Sequence, residues 1–153
     1  MWGELHEEKE IVILLPELMA AGKGNRIFRE LGAKLHYDVY NFPATSNEVW
    51  QSESILHIVL LKNGSEVDAQ DDFDEIRANY LLATRPCSDQ SVALSLIAKI
   101  VTGFEGVASY GGKPFSNDLV QADWDSCNDY LLKEWGEEPG SKSLRRMIEE
   151  NYA

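Results

Sequence analysis

The chain has 153 residues, 44% hydrophobic and 26% charged, and its 14 Lys and Arg face 26 Asp and Glu for a net charge of −12. That is the length of one ordinary domain, which buries about two-thirds of its unfolded surface and needs no metal or disulfide to hold its core. The acidic balance argues against non-specific nucleic-acid binding and against attraction to anionic membrane, and no apolar run approaches the ~18 residues of a bilayer span.

The opening Met1-Trp2-Gly3-Glu4-Leu5-His6-Glu7-Glu8 is acidic, lacks the basic start of a signal peptide, and is expected to fray over residues 1–9. Cys87 and Cys127 form no disulfide framework and no zinc spacing, which fits a reducing, cytoplasmic setting. With no repeat and no Pro/Gly-rich linker, residues 1–153 read as a single domain.

Ile11 to Leu15 is an apolar, β-branched run that predicts a buried strand ended by Pro16. Asn25 is placed to cap a helix carrying Ile27, Phe28, Leu31 and Leu35 on one face, with Gly22 and Gly24 in the turn before it. His36 to Phe42 predicts a second strand, closed by Pro43. Ser54 to Lys62 is the strongest strand signal, and Asn63-Gly64 after it signals a hairpin because both positions accept positive φ. The return strand through Glu66 to Glu75 is expected to be weak. Asn79 to Arg85 predicts another strand, stopped by Pro86. Ser88 caps a helix with Ala93, Leu96, Ile97, Ile100, Val101 and Phe104 on one face, ended by Gly103 and Gly106. Val107 to Tyr110 is a short strand before a flexible Gly111-Gly112 loop. Ser116 or Asn117 caps a last long helix whose apolar face is Val120, Trp124, Cys127, Leu131 and Trp135, ended by Gly136. A short helix with Leu144, Met147 and Ile148 follows the Pro139-Gly140 turn. The expectation is an α+β domain: a mainly antiparallel sheet of about four to five strands with helices packed on one face.

Motifs of chemistry are sparse. His57 in an apolar strand reads as a base or ligand, or as a half-buried histidine with one hydrogen bond; His6 and His36 form no ligand-spaced pair with it. Cys87 at a helix start could be a thiolate, opposed by neighbouring Asp89. Cys127 reads as a core filler. Gly22-Lys23-Gly24-Asn25-Arg26, with Arg29 and Lys34 beyond, occupies the place of an anion-binding loop but has neither phosphate-loop spacing. The acids Glu66, Asp68, Asp71, Asp72, Asp74 and Glu75 suggest calcium, a solvated loop, or a recognition loop for a basic partner; they lack the EF-hand pattern. Asp118 to Glu138 repeats the acidic theme with Asp123, Asp125, Asp129, Glu134, Glu137 and Glu138 against Lys133. No cofactor or metal is implied.

Three functions compete. One is a non-enzymatic acidic domain that binds a basic protein through Asp68, Asp71, Asp72, Asp74, Glu75, Asp125, Asp129, Glu137 and Glu138, with no nucleic acid and no membrane as partner. In that general character, compact, acidic and without catalytic motifs, the chain resembles the immunity proteins that bacteria pair with secreted toxins. The resemblance is one of class and implies an inhibitor of a basic toxin or effector. The second is a small enzyme assembled from His57, Cys87, Arg85 and Tyr110. The third is an anion or small-molecule module built on the Gly22–Arg29 turn and the later Gly-rich loop.

Overall fold

The computed structural model describes residues 8–43, 54–81 and 87–116, together with Asp118, Leu119, Gln121, Ala122, Asp125, Asp129 and Lys133. Alternation builds the central strand. In β4 (Ser54–Lys62), Leu56, Ile58 and Leu60 are buried on one face while His57 is exposed on the other. Asn63 and Gly64 then take φ of 51° and 81°, and the chain returns as β5 (Ser65–Val67), as the Asn-Gly pair predicts. Around them lie β1 (Glu8–Met19), β2 (Lys34–His36), β3 (Val39–Pro43), β6 (Phe73–Leu81), β7 (Val107–Tyr110) and β8 (Lys113–Pro114). The sheet runs β2-β3-β4-β6-β1-β7-β8, with β5 also on β4, and every pairing is antiparallel.

Helices α1 (Ala21–Glu30) and α2 (Cys87–Phe104) cover one face. Phe28 from α1 stacks on Tyr40 of β3 at 4.5 Å between ring centroids and meets Phe104 of α2 at 4.9 Å. Phe73 closes the cluster, 5.9 Å from Phe104. Ile11, Ile13, Leu56, Ile58, Ile76, Ile97 and Ile100 complete the core. The expected α2 face is therefore the packed one. Ser116 accepts a hydrogen bond from the Leu119 amide at 3.3 Å, the capping geometry expected of a helix start, and the described positions from Asp118 to Lys133 are helical. The predicted apolar face from Val120 to Trp135 and the segment beyond it lie outside the described residues.

The α+β class and the mainly antiparallel sheet hold, and α1 and α2 share one face, but the described residues form eight strands rather than four to five. Three strands make up the difference. The run His36 to Phe42 is two strands, β2 and β3, because Tyr37 and Asp38 both adopt left-handed φ, 49° and 65°, and make a two-residue hairpin turn without glycine. Gly111 and Gly112 likewise make a hairpin turn into β8 rather than a loop. The β5 return strand is the third. Pro16 does not end β1. It lies between Leu14 and Met19, where the register with β6 shifts and no ladder pair requires its missing N–H. Strand β6 starts at Phe73, not Asn79, because Glu75 is carried by an ion pair with Arg77 instead of being left in a solvated loop.

Helix α1 begins at Ala21, capped by Ala20 without a side-chain bond, so Gly22 and Gly24 sit in its first turns and Asn25 lies within it. Its end is a Schellman motif: Ala33 N–H donates to Phe28 O and Gly32 N–H to Arg29 O, each at 3.0 Å, with Gly32 at φ 97°. Helix α2 continues through Gly103 and ends with Glu105 at φ 54°.

The two α1 glycines make a sharp test. A Cβ on Gly24 would meet the Phe73 ring at 2.6 Å, whereas a Cβ on Gly22 would meet nothing within 4 Å. Gly22→Ala is expected to stabilise by about 0.4–1 kcal/mol through the unfolded chain. Gly24→Ala is expected to cost about 1–3 kcal/mol from overpacking. Urea unfolding midpoints of the two variants should move in opposite directions.

Candidate functional site

The edge of β4 that faces away from β6 is shared by two strands. Its ladder with β3 stops at Asn41 opposite His57, and its ladder with β5 starts at Val67 opposite Leu60. Among the described residues, Ile58 and Val59 have no strand partner on that side. A notch opens there with a cavity volume of about 140 Å³, walled by Asp38, Val39 and Tyr40 from one strand and Glu66 and Val67 from the other, over a floor of His57 to Leu60.

The far side of the notch is closed by the β2–β3 turn. Asp38 O accepts the Ala69 amide at 3.0 Å, and Asp38 Oδ1 accepts Gln70 Nε2 at 3.0 Å. These bonds tie the turn to the acidic loop after β5. Tyr37, beside Asp38, is 89% exposed, and its ring meets the His36 ring edge-on at 4.5 Å. The loop is self-braced: Asp68 Oδ1 accepts Gln70 N at 3.0 Å, and Asp71 Oδ2 accepts Asp68 N at 3.3 Å. Asp68, Asp71, Asp72 and Glu66 are all exposed. An aromatic ring and an acidic rim thus sit on one fixed support.

Not every predicted acid is free. Glu75 pairs with Arg77 at 2.7 Å, and Asp74 Oδ2 accepts the Asn63 amide at 3.3 Å. Asp125 and Asp129 are exposed, and Gln121 Nε2 donates to Asp125 at 2.9 Å. Glu137 and Glu138 lie outside the described residues. On the sheet face turned away from α1 and α2, ladder pairing lines up Lys34, Asn41, His57, Asn79 and Glu10 in one row. His57 Nδ1 lies 3.1 Å from Asn41 Oδ1. In the next row Arg77 bonds Glu75 and lies 3.9 Å from Glu10. The Glu75 hydrogen bond, with the Glu10 and Glu66 charges behind it, raises the guanidinium pKa further.

Of the enzyme candidates, His57 and Tyr110 lie on opposite faces of the sheet: His57 faces away from α1 and α2, whereas Tyr110, opposite Ile11, is buried on the helix side. Arg85 and the Cys87 side chain lie outside the described residues, as do His6 and Cys127. The supposed anion loop is a helix: Gly24 serves the approach to Phe73, and Arg29 Nε donates to Asn25 Oδ1 at 3.2 Å. Asp68, Asp71, Asp74 and Glu75 bond to separate partners, and among the described residues no three His, Cys, Asp or Glu gather as ligands. None of the described helices is long and apolar enough to cross a membrane. No protein-family model matches the chain, and no curated protein matches it.

Sequence reasoning passed over Tyr37, Asp38 and Gln70. The available signal was a Tyr-Asp pair inside an otherwise alternating run, since Asp tolerates positive φ better than most residues.

Tyr40 links this site to the core. Its hydroxyl donates to Asn25 Oδ1 at 2.8 Å, and burial pushes its phenol pKa above the usual 10.0 while the Arg29 charge pulls against this. A phenol held neutral in the fold binds its proton longer than in the unfolded chain. Stability from this group is therefore full below pH 10.0 and falls as pH rises beyond it. Tyr40→Phe is expected to lose about 1 kcal/mol near neutral pH for the missing hydrogen bond. Above about pH 10 its unfolding midpoint should decline less steeply than that of the unsubstituted protein.

Proposed function

We propose that this domain is a non-enzymatic protein-binding module that captures a basic partner, in its sharpest form an immunity-type inhibitor of a cationic toxin or effector. One observation carries the reading: the Asp38 bonds to Ala69 and Gln70 hold the exposed Tyr37 ring beside the exposed acids of the β5–β6 loop. Exposed aromatic side chains on rigid supports make central contacts in protein interfaces, because they bury large area at small entropic cost. Acidic rims raise the encounter rate with basic proteins and disfavour acidic ones. The −12 net charge extends that field over the whole molecule.

The partner is sought by capture from the source lysate, with washes at about 50 mM and about 500 mM salt to bracket weak and strong screening. A basic protein held at low salt and weakened at high salt is the expected result, and its own activity then tests inhibition. In binding kinetics, joint Asp68→Asn, Asp71→Asn and Asp72→Asn replacement should slow association and flatten its salt dependence. Asn keeps the acceptor oxygens that brace the loop. Tyr37→Ala should instead speed dissociation by about tenfold or more, the mark of a central contact. An association rate indifferent to the three acids, or no basic partner at either salt, overturns the proposal.

A further inference from the structure

We propose that the notch between β3 and β5 is a socket for an arginine side chain of the basic partner, an inference that rests on the binding reading above. Asp38 and Glu66 stand on opposite walls, and among the described residues no Lys or Arg lines the cavity. Among the described residues Glu66 makes no hydrogen bond or ion pair, and it acts on Arg77 only at longer range. Asp38 spends Oδ1 on Gln70 and keeps Oδ2 as an acceptor.

The floor supplies a third acceptor. Alternate residues of an antiparallel strand direct their backbone groups to alternate sides. Lys62 closes the hairpin onto Ser65 and Leu60 pairs with Val67, so Ile58, in phase with both, turns its carbonyl to the same edge, where no ladder pair receives it. Val39, Val59 and Val67 give apolar wall for the methylenes behind a charged head. A cavity of about 140 Å³ accommodates a planar cationic group and its stem.

Guanidinium fits this arrangement better than ammonium. It presents five N–H donors in a flat fork, so it can reach carboxylates on two walls and a carbonyl between them, and it gives up its hydration more readily. Tyr37 on the adjoining turn presents an exposed ring beside the notch-lining Asp38.

The test uses the full chain, isotope-labelled, titrated with Nα-acetyl-L-arginine amide and with the neutral Nα-acetyl-L-citrulline amide. Expected are saturable amide shifts at Asp38, Val39, Val59 and Val67 with the arginine compound, and binding weaker by about tenfold or more with citrulline. Asp38→Asn combined with Glu66→Gln should abolish the arginine shifts at an unchanged melting temperature, since Asn accepts both the left-handed φ and the Gln70 bond. Equal binding of citrulline, absence of saturable shifts at the notch, or an unaltered double variant each overturns the socket. The captured partner separates the two proposals. If Asp68, Asp71 and Asp72 govern its binding but the Asp38/Glu66 variant binds it unchanged, the socket is wrong and the binding reading stands. If the arginine compound binds the notch and no acid-dependent partner exists, the socket stands and the binding reading falls.

Discussion

The stack of Phe28 on Tyr40 is the contact on which the rest of the molecule depends. Phe28 is fully buried and touches rings from three other elements: Tyr40 in β3, Phe73 in β6 and Phe104 in α2. Burying one such ring contributes about 1.5–3 kcal/mol, and each ring pair adds about 0.5–1.5 kcal/mol. No other described side chain joins both helices and two non-adjacent strands through aromatic contacts. The helix must come close to the sheet for these rings to meet, which is why a glycine stands at position 24 under Phe73. Asn25 on the next helical step accepts the Tyr40 hydroxyl, so the polar end of the stacked ring is satisfied by the same helix that buries its face.

That arrangement has a consequence at the sheet edge. Strand β3 is pinned near its start, to α1 through Tyr40 and to the acidic loop through Asp38 just before it. Its ladder with β4 ends at Asn41 opposite His57, and β5 is held to the far end of β4 by the Asn63-Gly64 turn. The two strands therefore share one edge without meeting. The notch is what remains of β4 between them, lined by residues whose positions the core and the turn have already set. A site fixed by packing on one side and by backbone hydrogen bonds on the other needs little ordering on binding, and interfaces with little ordering cost gain affinity for the same contacts.

Much of this was legible in the sequence where local and tertiary preferences agree. Strand β4, the Asn63-Gly64 turn, α2 and β7 each have an unbroken pattern and a recognised terminator, and each lies where the pattern places it. The illegible parts are those in which tertiary contacts override local rules. Gly24 signals a turn by composition but is a packing residue inside a helix. Pro16 signals a strand end, yet it falls at a register shift where its missing donor costs nothing. Tyr37 and Asp38 carry no glycine to announce a turn, and their left-handed backbone is held by partners more than thirty residues away, at Ala69 and Gln70. The acids were visible as a composition, but composition does not tell which are spent. Glu75 is neutralised by Arg77 and Asp74 braces a turn, while Asp68, Asp71 and Asp72 stay exposed.

The disposition of Arg77 sharpens the electrostatic argument. On the sheet face turned away from α1 and α2 it is committed to Glu75, with Glu10 nearby and Glu66 acting at longer range, so its charge is offset by carboxylates. Leu14 and Val107, opposite each other across β1 and β7, are 53% and 73% exposed at the other end of that face. Among the described residues the features separate by position: exposed apolar side chains at the β7 side, the Arg77 ion pairs in the middle, and exposed carboxylates with an aromatic ring at the β3–β5 side. Encounter with a basic protein is governed by where charge is uncompensated, and residence by where a side chain can be desolvated against several partners. Among the described residues, the notch and its flanking loop are where those two requirements coincide.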